Sequence, residues 1–209
     1  MKIHVEKMKW TAAVFICLGI VACAGGSSAP TQFYMIDPVT PTSEGKTRLM
    51  GRPAVLISLG PVEIPEYLNR PQIVTHLNGT AYHLDEFHQW LEPLGETLTR
   101  VIAENLSEML DDQRIDVLSM ARSIETDYSV NIQILRFDGA PGKEMVLIAR
   151  WSLFGETEKV LSMTERVVIK EKMIDDSLDR LVKTQNRMIE ALSRKIADAI
   201  RPIVQSGGS

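Results

Sequence analysis

The chain has 209 residues, a formal net charge of −4 at pH 7, a hydrophobic fraction of 44% and a charged fraction of 24%. This length suits one domain with a sizeable core, and the composition is typical of a globular protein rather than a disordered or fibrous one. A negative chain lacks the basic footprint of proteins that bind nucleic acid, so we expect no nucleic-acid partner.

The first 22 residues have the pattern of a bacterial lipoprotein signal peptide. Three lysines precede an apolar stretch over residues 10–22, which is shorter than the roughly 20 residues that span a bilayer as a helix. The stretch ends at Ala22 and Cys23 follows it, as in a lipobox, where the cysteine thiol receives diacylglycerol. Lipidation of Cys23 is therefore predicted; the alternatives are an ordinary secretory signal or a short membrane anchor. Ala24, in place of aspartate, favours the outer membrane over retention at the inner membrane.

The mature chain is expected to begin at Cys23. Cleavage there removes Cys17, and the lipid occupies Cys23, so no disulfide can form and stability depends on the core. Residues 23–31 are rich in glycine and serine and predict a flexible tether. We expect a folded domain over residues 32–203 and a disordered tail over residues 204–209.

The first half of the domain is predicted to be mostly β. Asn78-Gly79 is a strong hairpin turn, and Asp85 is a candidate N-cap for the segment that leads into the helix around Trp90. The apolar run over residues 54–59 suggests a strand buried on both faces. The predicted strands are 32–36, 54–59, 71–75 and 80–84.

The irregular segment over residues 62–69 is the candidate for partner binding. It combines the composition of an exposed loop with apolar side chains and ends at an arginine, and tyrosine and arginine often anchor interfaces. The alternative is that its side chains fold back onto the core. The residues assigned to partner binding are Ile64, Tyr67, Leu68 and Arg70.

Two long amphipathic helices are predicted. The first has Pro93 in its first turn, where proline is tolerated, and then an apolar residue at every fourth position. The second is predicted over residues 175–200 and is expected to end at Pro202. The stripe of the first helix consists of Leu94, Leu98, Ile102, Leu106 and Leu110.

Between the helices lies a predicted β-meander. A short strand over residues 115–118 follows the first helix, and residues 128–137 then alternate between apolar and polar. Residues 144–154 and 160–169 are each expected to pair back on the preceding strand. This order of elements predicts an α/β domain, with one mixed sheet packed against two long helices.

No catalytic pattern is present in the sequence. It contains no Gly-x-Ser-x-Gly elbow, no Walker loop and no Gly-x-Gly-x-x-Gly fingerprint. His76, His83 and His88 lie close together in sequence, but no His-x-x-x-His or cysteine pair accompanies them, so a zinc site is not expected. We therefore expect no catalytic residues, no cofactor and no metal.

Two short stretches resemble one protein family. Residues 67–75 read YLNRPQIVT and residues 90–94 read WLEPL. Together with the lipoprotein signal and the sequence FYMI over residues 33–36, they are similar to the ABC-type transport auxiliary lipoprotein components, the PqiC/YmbA-like family. The resemblance is densest over residues 54–110 and implies a fold similar to the N-terminal domain of TolB.

The resemblance also implies a function. It suggests a lipoprotein of the outer membrane with its domain in the periplasm, which assists an MCE-protein/ABC transporter in moving lipids between the two membranes. Its partners would be an MCE-domain protein and the membrane that holds the lipid on Cys23, and a homo-oligomer is compatible with the family. Two alternatives stay open. One is a periplasmic carrier with lipid between sheet and helices, and the other is a periplasmic enzyme.

Overall fold

The structure, a computed structural model, describes residues 29–39, 55–110, 115–119, 124–155 and 161–207. The predicted signal peptide, Cys23 and most of the tether lie outside these residues. The described part contains eight strands and two helices, and the chain from Thr31 to Ser209 forms one compact unit. In chain order the elements are β1 (Gln32–Tyr34), β2 (Val55–Leu59), β3 (Gln72–Asn78), β4 (Ala81–Trp90), α1 (Leu94–Leu110), β5 (Ile115–Ser119), β6 (Tyr128–Gly139), β7 (Glu144–Gly155), β8 (Leu161–Lys172) and α2 (Leu178–Gly207).

The predicted α/β fold with two long helices is confirmed, and its strands form two sheets where one mixed sheet was predicted. A three-stranded sheet has the order β1-β4-β3, and a five-stranded sheet has the order β5-β2-β6-β7-β8. Strand β2 pairs in parallel with β5 on one side and with β6 on the other. Both edges of β2 are thus occupied, so the β3–β4 hairpin does not pair with β2; it pairs with β1 instead.

The predicted hairpin and the predicted meander are both present. Turn residues determine the hairpin, and the alternation of apolar and polar residues determines the strands of the meander. The β3–β4 turn contains Gly79 with φ of +54°, a conformation that glycine adopts without strain. Strands β6, β7 and β8 form the predicted antiparallel meander. A bulge at Leu135 interrupts β6, because Ile134 pairs with Ala149 and Arg136 pairs with Ile148.

The core lies between the five-stranded sheet and the two helices. Helix α1 packs on β5 and on α2, and α2 packs on β7 and β8. The predicted stripe of α1 is confirmed, since its five residues are at most 2% exposed. Buried Asn105 links α1 to α2 and to the segment that follows β1. Its amide donates to Ser193 Oγ of α2 at 3.3 Å, and its Oδ1 accepts the Val39 N–H at 2.8 Å.

The opposite side of the meander faces solvent along much of its length, and we call it the open face. Along β6, Ile132 and Ile134 are buried on the helix side, whereas Asn131 and Gln133 are exposed on the open face. Alternation of this kind is the pattern of a sheet with one covered side.

The predicted N-cap role of Asp85 is wrong. Asp85 lies inside β4, which continues to Trp90 because residues 88–90 pair with β1, and α1 begins only at Leu94. The Asp85 carboxylate accepts the Phe87 N–H at 2.9 Å, and His88 Nδ1 lies 2.7 Å from it. It therefore bonds locally within an irregular strand and does not cap a helix.

The prediction that Pro202 ends the second helix is also wrong. Helix α2 begins at Leu178 and continues through Pro202 to Gly207, so residues 204–207 of the expected tail are helical. Proline removes one backbone donor from a helix. Here Val204 is buried and Ile203 packs against the core, which holds the last turn in place.

Candidate functional site

The segment over residues 61–71 is held against both β6 and α1. The Glu63 N–H donates to Ile132 O at 3.0 Å, and Glu63 O accepts the Ile134 N–H at 2.8 Å. On the other side, the Val62 N–H donates to Thr99 Oγ1 of α1 at 2.9 Å. The segment is therefore a fixed part of the domain, although it contains no strand or helix.

The four residues predicted to bind a partner lie in different environments. Leu68 is 3% exposed and belongs to the core, so its side chain is not available at the surface. Tyr67 and Ile64 are partly buried and pack against the core, whereas Arg70 is exposed. Leu68 and Tyr67 follow the alternative prediction, in which side chains of this segment fold back onto the core.

Tyr67 connects the segment to β6 through a buried carboxylate. Its hydroxyl donates to Asp138 Oδ2 at 2.6 Å. Arg136 donates to Asp138 Oδ1 through Nε at 3.0 Å, and its Nη2 lies 2.9 Å from the same oxygen. Asp138 is fully buried, so these contacts supply the charge and the hydrogen bonds that a buried carboxylate requires.

The environment keeps Tyr67 and Arg136 each in one protonation state. Burial, together with the hydrogen bond to Asp138 and its negative charge, raises the pKa of Tyr67 well above its usual value. Burial opposes the charge of Arg136, but the hydrogen bond to Asp138 and the carboxylate charge outweigh it and raise the pKa of the guanidinium. Tyr67 is thus a neutral donor and Arg136 a permanent cation.

Aromatic contacts join this cluster to the β3–β4 hairpin. The rings of Tyr67 and Tyr82 are 5.3 Å apart, and the ring of His76 meets Tyr82 edge-on at 5.1 Å. Such tilted and edge-on arrangements are favourable for aromatic pairs. The hairpin therefore borders the part of the open face that carries Arg136.

Two concave surfaces adjoin these elements. The first, which we call the loop groove, has a volume of about 800 Å³ and lies between the segment over residues 61–69 and the start of α1. Its lining includes Pro61, Glu63, Ile64, Pro93, Glu96 and Arg100.

The second concave surface, which we call the cationic groove, lies on the open face beside the hairpin. Its volume is about 490 Å³. Basic side chains surround an apolar floor formed by Val146, Ile148 and Val168. The polar residues of its lining are His76, Arg136, Lys143, Glu144, Arg166 and Lys170.

Sequence reasoning missed Asp138 and Arg136. The alternation over residues 130–134 predicts which side chains of β6 face the helices, but the bulge at Leu135 shifts that alternation by one residue. Asp138 consequently lies on the open face and is buried by Tyr67 and its surroundings. A bulge of this kind depends on the pairing with β7 and has no signature in β6 itself.

The three histidines are distributed over the hairpin sheet. His76 lies on β3 and accompanies Tyr82, whereas His88 Nδ1 and, at 3.9 Å, His83 Nε2 approach Asp85. Partial burial opposes ionisation of Asp85, but hydrogen bonds from His88 and the Phe87 N–H hold the pKa of this carboxyl below its usual value. Among the residues that the structure describes, no group of three or more His, Cys, Asp or Glu side chains could hold a metal ion.

No helix in the described part of the chain combines the length and apolar character that a membrane span requires.

Comparison with known proteins decides the family. The profile of the ABC-type transport auxiliary lipoprotein components matches residues 34–197. This chain belongs to that family. The family is a class of transport auxiliary components and not a class of enzymes. No curated protein matches the chain.

Solved structures show the same fold as this auxiliary lipoprotein. A crystal structure of an uncharacterized protein superposes with a TM-score of 0.68 at 20% identity, over 82% of this chain and 99% of that one. A protein from Xanthomonas campestris of the DUF330 family superposes with a TM-score of 0.61 at 11% identity, over 80% of this chain and 93% of that one. At these identities the likeness concerns the fold alone.

Proposed function

We propose that this auxiliary lipoprotein is anchored in the outer membrane through lipid on Cys23 and assists an MCE/ABC-type lipid transporter from the periplasm. The observation that carries the proposal is the family match over residues 34–197. The apolar stretch before Cys23 and the Ala24 that follows it support the lipid anchor and the choice of membrane.

The anchor and the tether set where the domain can act. Residues 23–31 span at most about 30 Å when fully extended, at roughly 3.3–3.6 Å per residue. Strand β1 begins at Gln32, so the domain would stay within that distance of the membrane surface. ATP hydrolysis would belong to another subunit, and this chain would act by binding.

We propose the loop groove as the surface that docks the MCE-domain protein. It offers apolar surface at Pro61, Ile64 and Pro93, flanked by the charges of Glu63, Glu96 and Arg100. Apolar surface with a polar surround is the usual composition of a docking site. Asn69 lines this surface and exposed Arg70 follows it in the chain, while Tyr67 and Leu68 would act by holding the segment in place.

The core packing favours docking over the lipid-carrier alternative. A carrier would need a cavity between sheet and helices, and residues that line such a cavity would have accessible surface. Leu98, Ile102 and Leu106 are 0% exposed and belong to one continuous core cluster. Self-association into a homo-oligomer stays an expectation from the family resemblance.

A pull-down tests the docking surface. The change is Arg70→Glu, alone and with Ile64→Asp, in the full chain; the bait is an MCE-domain protein from the same organism. We expect both variants to lose the partner while their melting temperatures stay near the parental value. Tyr67→Ala with Leu68→Ser is unsuitable, since Leu68 lies in the core and the variant would unfold.

A matched control separates docking from a general effect of charge. Ile174 is 88% exposed and Arg194 is exposed on α2, so Ile174→Asp with Arg194→Glu makes the same chemical changes outside the loop groove. This control should bind the partner normally. Normal binding by a folded Arg70→Glu, Ile64→Asp variant would remove the loop groove from the interface.

A further inference from the structure

The open face concentrates positive charge on a chain whose formal net charge is −4. Register places the basic residues of three strands on this face, and Lys143 follows in the β6–β7 turn. Among the strands of the described meander, its carboxylates are Asp138, which is buried against Tyr67 and Arg136, and Glu144, which lies 3.3 Å from Lys170. The basic residues of the strands are Arg136, Arg150, Arg166, Lys170 and Lys172.

Two of these arginines are direct cross-strand neighbours. Arg150 of β7 pairs in register with Arg166 of β8, and both side chains are exposed. Like charges directly opposite one another in an antiparallel pair are destabilising. Arg166 lines the cationic groove, so an anion bound there would relieve this repulsion.

The cationic groove also offers apolar surface to its ligand. Val146, Ile148 and Val168 form the floor between the basic side chains, and Val168 is 44% exposed. A simple inorganic anion would leave this apolar area in water. An amphiphile, with a negative head and a hydrocarbon body, would satisfy both the basic surround and the floor.

One of the basic groups is held in a fixed orientation. Arg136 uses Nε and Nη2 on the Asp138 carboxylate, which Tyr67 fixes from the other side. A guanidinium held in this way loses little conformational entropy when it binds a ligand. Planar guanidinium groups also match the oxygen geometry of phosphate.

We infer that the cationic groove binds the phosphate head group of an anionic phospholipid, with the start of the acyl chains over the floor of Val146, Ile148 and Val168. Arg136, Lys143, Arg166 and Lys170 converge on one concavity, as a single compact anion requires; an extended acidic protein segment would be matched by charges spaced along a strip. The volume of about 490 Å³ lies within the range of small-molecule sites, about 300–1,000 Å³. This site goes beyond the docking role, and none of the residues that line it lines the loop groove.

Lipid selectivity tests the site. The full chain, purified in an uncharged detergent, is titrated with phosphatidylglycerol and with phosphatidylcholine of the same acyl chains, and bound lipid is counted by native mass spectrometry. We expect phosphatidylglycerol to bind at least about tenfold more tightly, a difference of about 1.4 kcal/mol. Equal binding of the two lipids would overturn the inference.

Charge-matched variants locate the binding. Lys143→Gln with Arg166→Gln removes two cations from the groove, and Arg194→Gln with Lys195→Gln removes two exposed cations from α2. We expect the first variant to lose the preference for phosphatidylglycerol and the second to keep it. The first should melt at or slightly above the parental temperature, because Arg166→Gln relieves the repulsion with Arg150. An equal loss in both variants would show that binding follows net charge and not this groove.

Two competitors test the chemical class. Inorganic phosphate and a peptide of ten glutamates are added separately to the complex with phosphatidylglycerol. We expect both to displace the lipid only at a large molar excess. Displacement by phosphate at concentrations equal to the lipid would make this a simple anion site, and displacement by the peptide at equal concentrations would assign the groove to an acidic protein segment; either result overturns the lipid assignment.

Discussion

The two faces of the meander use the same strands for different purposes. On the helix side, Ile132, Ile134 and Trp151 are at most 2% exposed and pack beneath α1 and α2. On the open face, Gln133, Arg150 and Arg166 alternate with them and are exposed. Because successive residues of a strand point to opposite sides, one segment can stabilise the fold and present charge to a ligand at once. We therefore expect substitutions on the helix side to change the free energy of unfolding and substitutions on the open face to change ligand binding.

The largest effect on stability is expected at the centre of the covered side. Ile102 is fully buried in the stripe of α1, and Ile102→Ala removes buried methyl groups and leaves a cavity. We expect a loss of about 2–5 kcal/mol in the free energy of unfolding, measured with denaturant. A loss below about 1 kcal/mol would mean that this stripe is not the core.

An intermediate loss of stability is expected at Tyr67, which covers the buried Asp138 on the open face. Tyr67→Phe keeps the ring but removes the hydroxyl that donates to Asp138 at 2.6 Å. Hydrogen bonds to charged groups contribute about 1.5–3 kcal/mol, so we expect a loss in that range. The control Tyr128→Phe changes another partly buried tyrosine that packs against the core. Equal losses in the two variants would mean that the contact with Asp138 has no special role.

The smallest effect on stability is expected on the exposed part of the open face. Arg150→Gln should change the free energy of unfolding by less than about 0.5 kcal/mol, in the stabilising direction, because it removes a repulsion with Arg166. Since the effect is electrostatic, it should diminish as salt is added. A clear destabilisation at low salt would show that Arg150 makes a structural contribution and that the two faces are less distinct than we describe.

Elements with a local signal could be predicted from sequence. The four-residue spacing of α1, the Asn78-Gly79 turn and the alternation of β6 each reflect contacts between residues close in the chain. The family could also be recognised, since residues 67–75 and 90–94, which carry the resemblance most specifically, lie within the matched residues 34–197.

Features that depend on distant contacts could not be predicted. The division into two sheets depends on pairings between distant segments, since β2 pairs with β5 and β6 whereas β4 pairs with β1 and β3. The burial of Leu68 depends on the core that surrounds it, and the continuation of α2 past Pro202 depends on the packing of Val204. The surroundings of Asp138 depend on the bulge at Leu135, and so on the register with β7.

The central claim, a lipid-anchored auxiliary component at the outer membrane, is tested most directly by lipid labelling of Cys23. Cells that express the parent chain or Cys23→Ala are labelled with radioactive palmitate, and their inner and outer membranes are separated by density. We predict that the parent chain carries label and sediments with the outer membrane, whereas Cys23→Ala carries none and keeps an uncleaved signal peptide. Equal labelling of the two proteins, or parent chain found in the inner membrane, would contradict the account.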